Sequence, residues 1–354
     1  MPAGIFFFIE TTIVTDAVKI PIPDQHNISL FCPPFWLTMN HPILMQQENK
    51  PALVDWLILF ALMVIWGSSF ILIKRGLEFF ENTQVAALRV SISFLSLLPV
   101  ALVRMSRIRR KDIHLFIISG LIGNAIPAYL FARAQTQMDS YMAGILNSLT
   151  PLFTLVAGVL FFGRLTRFSN VAGVIIGLIG ATGLLWVTGN GDFSLNFFPA
   201  SLVIIATMLY GIQMNFIKNY LFGYDAPTIA SISFFFVGIP VLTYLLAGTD
   251  FTRYLQSHTE SWKGVGYIAI LAVVGTSLAI IANFWVIKRT SALFSSSVTY
   301  LMPIVSTIWG IIDGESFLFS YVIWIAVILT GVYLANRPAR KRQESLSEVK
   351  INTG

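Results

Sequence analysis

NSLTPLF, Asn147 to Phe153, lies at the middle of an apolar run that extends from Tyr141 to Phe162, and TYLMPIV, Thr299 to Val305, lies inside a later run of the same kind. A proline in a helix deletes one backbone hydrogen bond and frees a carbonyl. Inside a bilayer that carbonyl needs a neighbouring helix, a Ser or Thr side chain, or water. Asn147, Thr150, Thr299 and Tyr300 stand near the two prolines, Pro151 and Pro303. The two stretches therefore predict helices with kinked, polar centres. One reading makes them the partly wet wall of a substrate path; the other makes them plain kinks packed against protein.

The two stretches belong to a wider repeat. An offset of 152 residues carries Gly123, Leu149, Pro151 and Gly158 onto Gly275, Leu301, Pro303 and Gly310 without a gap. WGSSFILIK, Trp66 to Lys74, lies over YGIQMNFIK, Tyr210 to Lys218, at an offset of 144.

Composition sets the solvent. Of 354 residues, 56% are hydrophobic and 11% charged, and the mean hydropathy is +0.75. A soluble domain of this length cannot hide so much apolar surface. A helix crosses a bilayer with about 20 mostly apolar residues. Ten such spans are expected: Val54–Ile73, Thr83–Val103, Ile113–Arg133, Ser140–Phe162, Val171–Val187, Phe197–Ile217, Pro227–Ala247, Gly264–Ile287, Ser291–Ile312 and Tyr321–Ala335. The fold class is thus an all-α membrane protein, in two five-helix repeats covering residues 54–187 and 197–336.

Five is odd, so the second repeat enters the membrane from the opposite side. The expected result is an inverted repeat about an axis in the membrane plane, with a substrate site near the midplane between the halves. Lys and Arg set the orientation. With ten spans, 16 of them fall on the side of the termini and 5 on the other, which predicts cytoplasmic termini in a plasma (inner) membrane. The net charge of +6 is explained by this bias, and nucleic acid is not expected as a partner; the partners are lipid, a small-molecule substrate and, at most, a second copy of the chain.

Residues 1–50 carry six prolines, among them Pro21, Pro23, Pro33, Pro34 and Pro42, and no spanning run. They are expected to be a disordered or untranslated extension, with Met39 or Met45 as the start; the alternative is a small N-terminal element. Residues 337–354 form a basic cytoplasmic tail. Cys32 is the single cysteine and the four histidines lack metal-ligand spacing, so no disulfide framework, metal or cofactor is expected. Asp225 and Asp250 lie at span ends, outside the geometry of an intramembrane aspartyl protease, and there is no H-E-x-x-H. An enzyme is disfavoured; a polytopic sensor or scaffold is the remaining alternative to a transporter.

WGSSF at Trp66, ALRVSISFL at Ala87, the endings LFFGR and IIDGE of spans four and nine, and the Gly-rich VAGVIIGLIGATGLL of span five appear in that order. Together they resemble the EamA-type branch of the drug/metabolite transporter superfamily over residues 54–336. The resemblance implies a carrier of amino acids, metabolites or drug-like solutes, with a cavity lined by spans one, three, four, six, eight and nine. Arg164 stands where that pattern usually has a glutamate, which is present in the second half as Glu315.

The candidate path residues are Trp66, Ser69, Asn124, Asn147, Thr150, Tyr210, Gln213, Asn283, Thr299 and Tyr300, with kinks at Pro127, Pro151 and Pro303. For each, core packing or interhelical hydrogen bonding is the competing reading. Arg89, inside span two, is read first as structural, with an anionic substrate group as the alternative. Asp313 and Glu315 are placed at the outer interface. No acid lies deep in a span, so proton exchange and facilitated diffusion both stay open. Gly173, Gly177 and Gly180 line one face of span five, for packing within the chain or, second, between two chains.

Overall fold

The computed structural model describes residues 51–163, 167–188 and 193–335. The expectations for residues 1–50, for Arg164 and for residues 337–354 lie outside the described residues. Those described are helical throughout, with turns and no strand. Nine segments are long and apolar enough to cross a membrane. They are α1 (Leu53–Leu77), α2 (Asn82–Arg107), α3 (Arg110–Ala134), α4 (Ser140–Phe162), α5 (Phe168–Thr188), α6 (Phe197–Tyr220), α7 (Ala226–Ala247), α8 (Ser261–Arg289) and α9 (Ala292–Ile312). A shorter apolar helix, α10 (Tyr321–Ala335), follows. Large apolar side chains such as Phe60, Leu102, Leu160, Ile175, Phe197, Ile270 and Ile312 stay exposed on the outside of the bundle. An exposed apolar surface of this extent matches lipid, not water.

Five segments are interrupted: α1 turns at Ser68, and the interruptions of the other four recur at the offsets read from the sequence. In α3 the helix widens to a π turn at Leu121–Ala125, and in α8 at Val273–Leu278; an offset of 152 carries Leu121 onto Val273. In α4 one helical piece runs Ser140–Asn147 and the next starts at Thr150. In α9 the corresponding pieces start at Ala292 and Met302, 152 residues on in both cases. The offset of 144 carries Asn82, the first residue of α2, onto Ala226, the first of α7. Gly163 and Gly314 end α4 and α9 with φ of 62° and 83°, left-handed values that suit glycine.

The prolines are therefore helix starts more than kinks. Pro151 and Pro303 each sit in the first turn of the second piece, where a missing N–H costs nothing because that N–H has no helical partner. The carbonyls left behind are met by side chains. Thr150 Oγ1 donates to the Asn147 carbonyl at 2.7 Å, and Thr299 Oγ1 to that of Ser296 at 3.0 Å.

α5 and α10 pack along their glycines. A Cβ placed on Gly331 would stand 2.3 Å from the Gly177 backbone N, and one on Gly173 would stand 2.3 Å from that of Ala335. Asn170 Nδ2 closes one end of this seam on the Ala335 carbonyl at 2.6 Å. The small-residue face of α5 is thus covered from within the chain.

Candidate functional site

α1, α2, α3, α4, α6, α7, α8 and α9 surround a cavity with about 90 Å³ open to the centre of a water molecule. That volume holds several waters. Of the ten path candidates, nine line it: Trp66, Ser69, Asn124, Asn147, Thr150, Tyr210, Gln213, Asn283 and Thr299. Tyr300 does not; its hydroxyl donates to the Val332 carbonyl of α10 at 3.3 Å. Tyr300, one position on from Thr299, is thereby turned toward α10 and away from the cavity.

Several lining groups meet the backbone at or beside an irregularity. The π turn of α8 displaces the Gly275 carbonyl, which accepts the Trp66 indole N–H at 2.9 Å. In the same turn Thr276 Oγ1 donates back to the Leu271 carbonyl at 3.0 Å and accepts from Arg89 Nε at 3.0 Å. Across the pseudo-symmetric pair, the Gln213 side chain of α6 lies directly over Gly123 of α3, where a Cβ would overlap its amide, and Gln213 Nε2 donates to the Ser119 carbonyl at 3.1 Å. Its counterpart Ser69 lies over Gly275, with Ser69 Oγ 3.1 Å from a Cβ built there. Each half thus lays its first helix over a glycine of the other half's third.

Asn283 Oδ1 accepts from Ser295 Oγ, tying α8 to the first piece of α9. Asn147 Nδ2 faces Met302 Sδ at 3.7 Å, which joins α4 to α9. Tyr210 stacks on Phe131 at 5.9 Å. The hydroxyls of Thr150 and Thr299 are spent on the backbone, so those residues offer the cavity their remaining oxygen lone pairs and their methyls. Asn124, on the α3 π turn beside Pro127, has its Nδ2 buried without a partner.

Arg89 and Thr276 also line the cavity. Arg89, read first as structural with an anionic substrate group as the alternative, thus stands on the cavity wall. Thr276 was not singled out, although it follows Gly275, one of the residues that the 152-residue offset marks. No Asp or Glu is among the lining residues.

A second cluster closes one end of α1, α4 and α9. Lys74 Nζ bridges Asp313 at 2.7 Å and Glu315 at 2.8 Å, and Arg75 pairs with Asp313. Glu315 also accepts the backbone N–H groups of Ser140 at 2.9 Å and Tyr141 at 3.3 Å, the first of α4. A carboxylate there meets unsatisfied donors and the positive end of a helix. Its side chain is 1% exposed, so Glu315, just past the end of α9, is buried against protein and held by three donors. Lys218, which the 144-residue offset pairs with Lys74, instead donates to the carbonyls of Ile287 and Thr290 at the C-terminal end of α8, at 3.2 and 3.0 Å. Nearby, at the start of α7, burial pushes the Asp225 carboxyl up, but hydrogen bonds from Thr228 and Arg104 outweigh it and hold the pKa below the usual range.

An all-helical, membrane-spanning bundle interrupted around an internal cavity fits a membrane transporter. The sequence profile of the EamA-like transporter family matches residues 55–186 and again 197–337, and the chain belongs to that family. It is 24% identical to a protein of Archaeoglobus fulgidus named as an uncharacterized transporter, over 80% of this chain and 98% of the relative. It is 28% identical to the inner membrane transporter YedA of Escherichia coli, named as uncharacterized, over 78% and 88%. A probable terminal-alkyne amino-acid exporter of Streptantibioticus cattleyicolor is 22% identical over 80% and 94%. A solved crystal structure superposes with a TM-score of 0.57 at 17% identity, covering 85% of this chain and 99% of that one, so the two share a fold. The chain is a multi-pass integral membrane transporter of the EamA/DMT group.

Proposed function

We propose that the chain moves a small metabolite across the plasma membrane by alternating access, with α10 as a tenth span and residues 54–187 and 197–336 as two inverted five-helix repeats. Both termini are then cytoplasmic, and the Glu315 cluster lies at the outer face. The observation that carries this reading is the paired irregularity: π turns in α3 and α8 and breaks in α4 and α9, at one offset, around one cavity. Such interruptions supply polar backbone at membrane depth, where it is tolerated only beside protein or water. They also divide helices into pieces that can tilt separately. A symmetric pair of such halves can exchange conformations and open the cavity to each side in turn. The amino-acid exporter among the relatives makes amino acids and similar metabolites the first class of solute to try.

Cysteine accessibility tests the reading. Single cysteines at Asn147, Thr150 and Thr299, in a Cys32→Ser background, should react with a membrane-impermeant thiol reagent from at least one side, since a thiol ionises only in a wet setting. Cysteines at Tyr300 and Ile328 should stay silent. If the cavity positions are as unreactive as Ile328, which is 0% exposed, the cavity is not on a transport path.

A further inference from the structure

Arg89 is the one charged residue lining the cavity. It lies seven residues into α2, about 10 Å along the helix at 1.5 Å per residue. A guanidinium at such depth costs several kcal/mol unless it meets a counter-charge or water. The ordinary structural answer would be a carboxylate, and no Asp or Glu pairs with it among the described residues. Its Nε is satisfied by Thr276 Oγ1 at 3.0 Å. Five N–H donors are available on a guanidinium, so most of the fork is left for another acceptor. A second donor lining the cavity is also unanswered: Asn124 Nδ2 is buried without a partner, on a residue 6% exposed. A cavity with an uncompensated cation and an orphaned N–H, and with no acid, lacks an acceptor-rich anion. Its other walls include Trp66, Phe131, Phe234 and Phe284, which suit an apolar body.

We propose that Arg89 binds the carboxylate of the transported solute, that Asn124 Nδ2 donates to the same anion, and that the solute is a small monocarboxylate with an apolar remainder. A planar carboxylate matches the guanidinium fork in a bidentate pair. An amine would bring a second positive charge beside Arg89, and a neutral amide would leave the guanidinium without its counter-charge. Thr276 and the α8 π turn hold Nε, so the fork keeps its direction while the cavity is empty. The assignment rests on the reading of this chain as a carrier working through this cavity.

Calorimetric titration of the purified full chain tests it, with hexanoate and 3-phenylpropanoate as probes beside the primary amide and the amine of each skeleton. At least one acid should bind, and at least tenfold more tightly than its amide, with the amine weakest. Arg89→Gln should abolish the preference for acid over amide, and Arg89→Lys should restore part of it. If Arg89→Gln does not fold, Asn124→Asp serves: a carboxylate at the orphaned donor should cost the acid at least tenfold and leave the amide within about threefold. Equal binding of acid and amide, preference for the amine, no binding of any probe, or a preference that survives both substitutions would overturn the proposal. Uptake of the labelled acid into proteoliposomes separates the two readings. Selective binding without uptake refutes the carrier reading and leaves the anion site standing; uptake indifferent to charge refutes the role of Arg89 and leaves the carrier.

Discussion

Replacing Glu315 by Gln should unlock the end of the bundle where α1, α4 and α9 meet. The carboxylate accepts from Lys74 Nζ and Ser140 N on one oxygen and from Tyr141 N on the other. Glutamine keeps the shape and one acceptor. Its amide nitrogen then faces either the Tyr141 N–H or, if flipped, Lys74 and Ser140, so at least one buried donor loses its acceptor. An orphaned buried donor costs about 1–3 kcal/mol. Loss of the charge on the Lys74 bridge adds under about 1 kcal/mol, because Lys74 is 32% exposed and keeps Asp313 at 2.7 Å. Together the closed arrangement weakens by about 1–4 kcal/mol, or roughly 5- to 900-fold in its equilibrium with an open one. The assay is the labelling rate of an Asn147→Cys reporter by an impermeant reagent added outside intact cells, with and without the Glu315→Gln change. When opening is rare and fast, the rate follows the open population and should rise by that factor. A labelling rate unchanged within about threefold, in a variant that still inserts and binds solute, would show that the cluster anchors three helix ends and gates nothing.

Reporter fusions after Lys111 and Arg342 should report the cytoplasm and fusions near Gly191 the outside; a mixed pattern would break the five-span repeat. Gly331→Ala should lower thermal stability by about 1–3 kcal/mol, because the new methyl meets Gly177 backbone at 2.3 Å and the two helices must part. Gly266→Ala, with nothing within 4 Å, should be neutral in the same melting assay. Asp225→Asn should cost under about 1 kcal/mol, since the Arg104 bridge is half exposed. Its folded pKa is depressed, so its contribution is complete above the ordinary carboxylate value of about 3.9 and fades as the pH falls through the lower folded value. Melting curves of the two proteins should therefore differ at pH 7 and draw together as the pH falls below the ordinary carboxylate range.

Span positions were legible because each apolar run is bounded by charge or by Gly and Pro, and no long loop intervenes to blur the count. The repeat was legible at Pro151 and Pro303 because helix starts tolerate few residues in their first turn. The π turns were not: Leu121–Ala125 and Val273–Leu278 contain no breaker that a helix would refuse, and only the recurrence of Gly123 and Gly275 hinted at them. Tyr300 was misplaced because apolar flanks leave the phase of a short broken helix undetermined. The burial of Glu315 was hidden too, since its donors at Ser140 and Tyr141 come from 175 and 174 residues away.

The crossed contacts of Gln213 over Gly123 and Ser69 over Gly275 bear on how such a chain diverges after its halves were joined. A methyl at residue 123 would collide with the Gln213 amide, whereas at residue 275 it would meet Ser69 Oγ at 3.1 Å and Leu271 Cδ1 at 3.2 Å. The bulk of one half's helix therefore dictates the largest residue admissible in the other. Drift at 123 must await a shortening at 213, and a lengthening at 69 would tighten the demand at 275. The two copies can lose almost all resemblance to each other and still mutate as partners across the join.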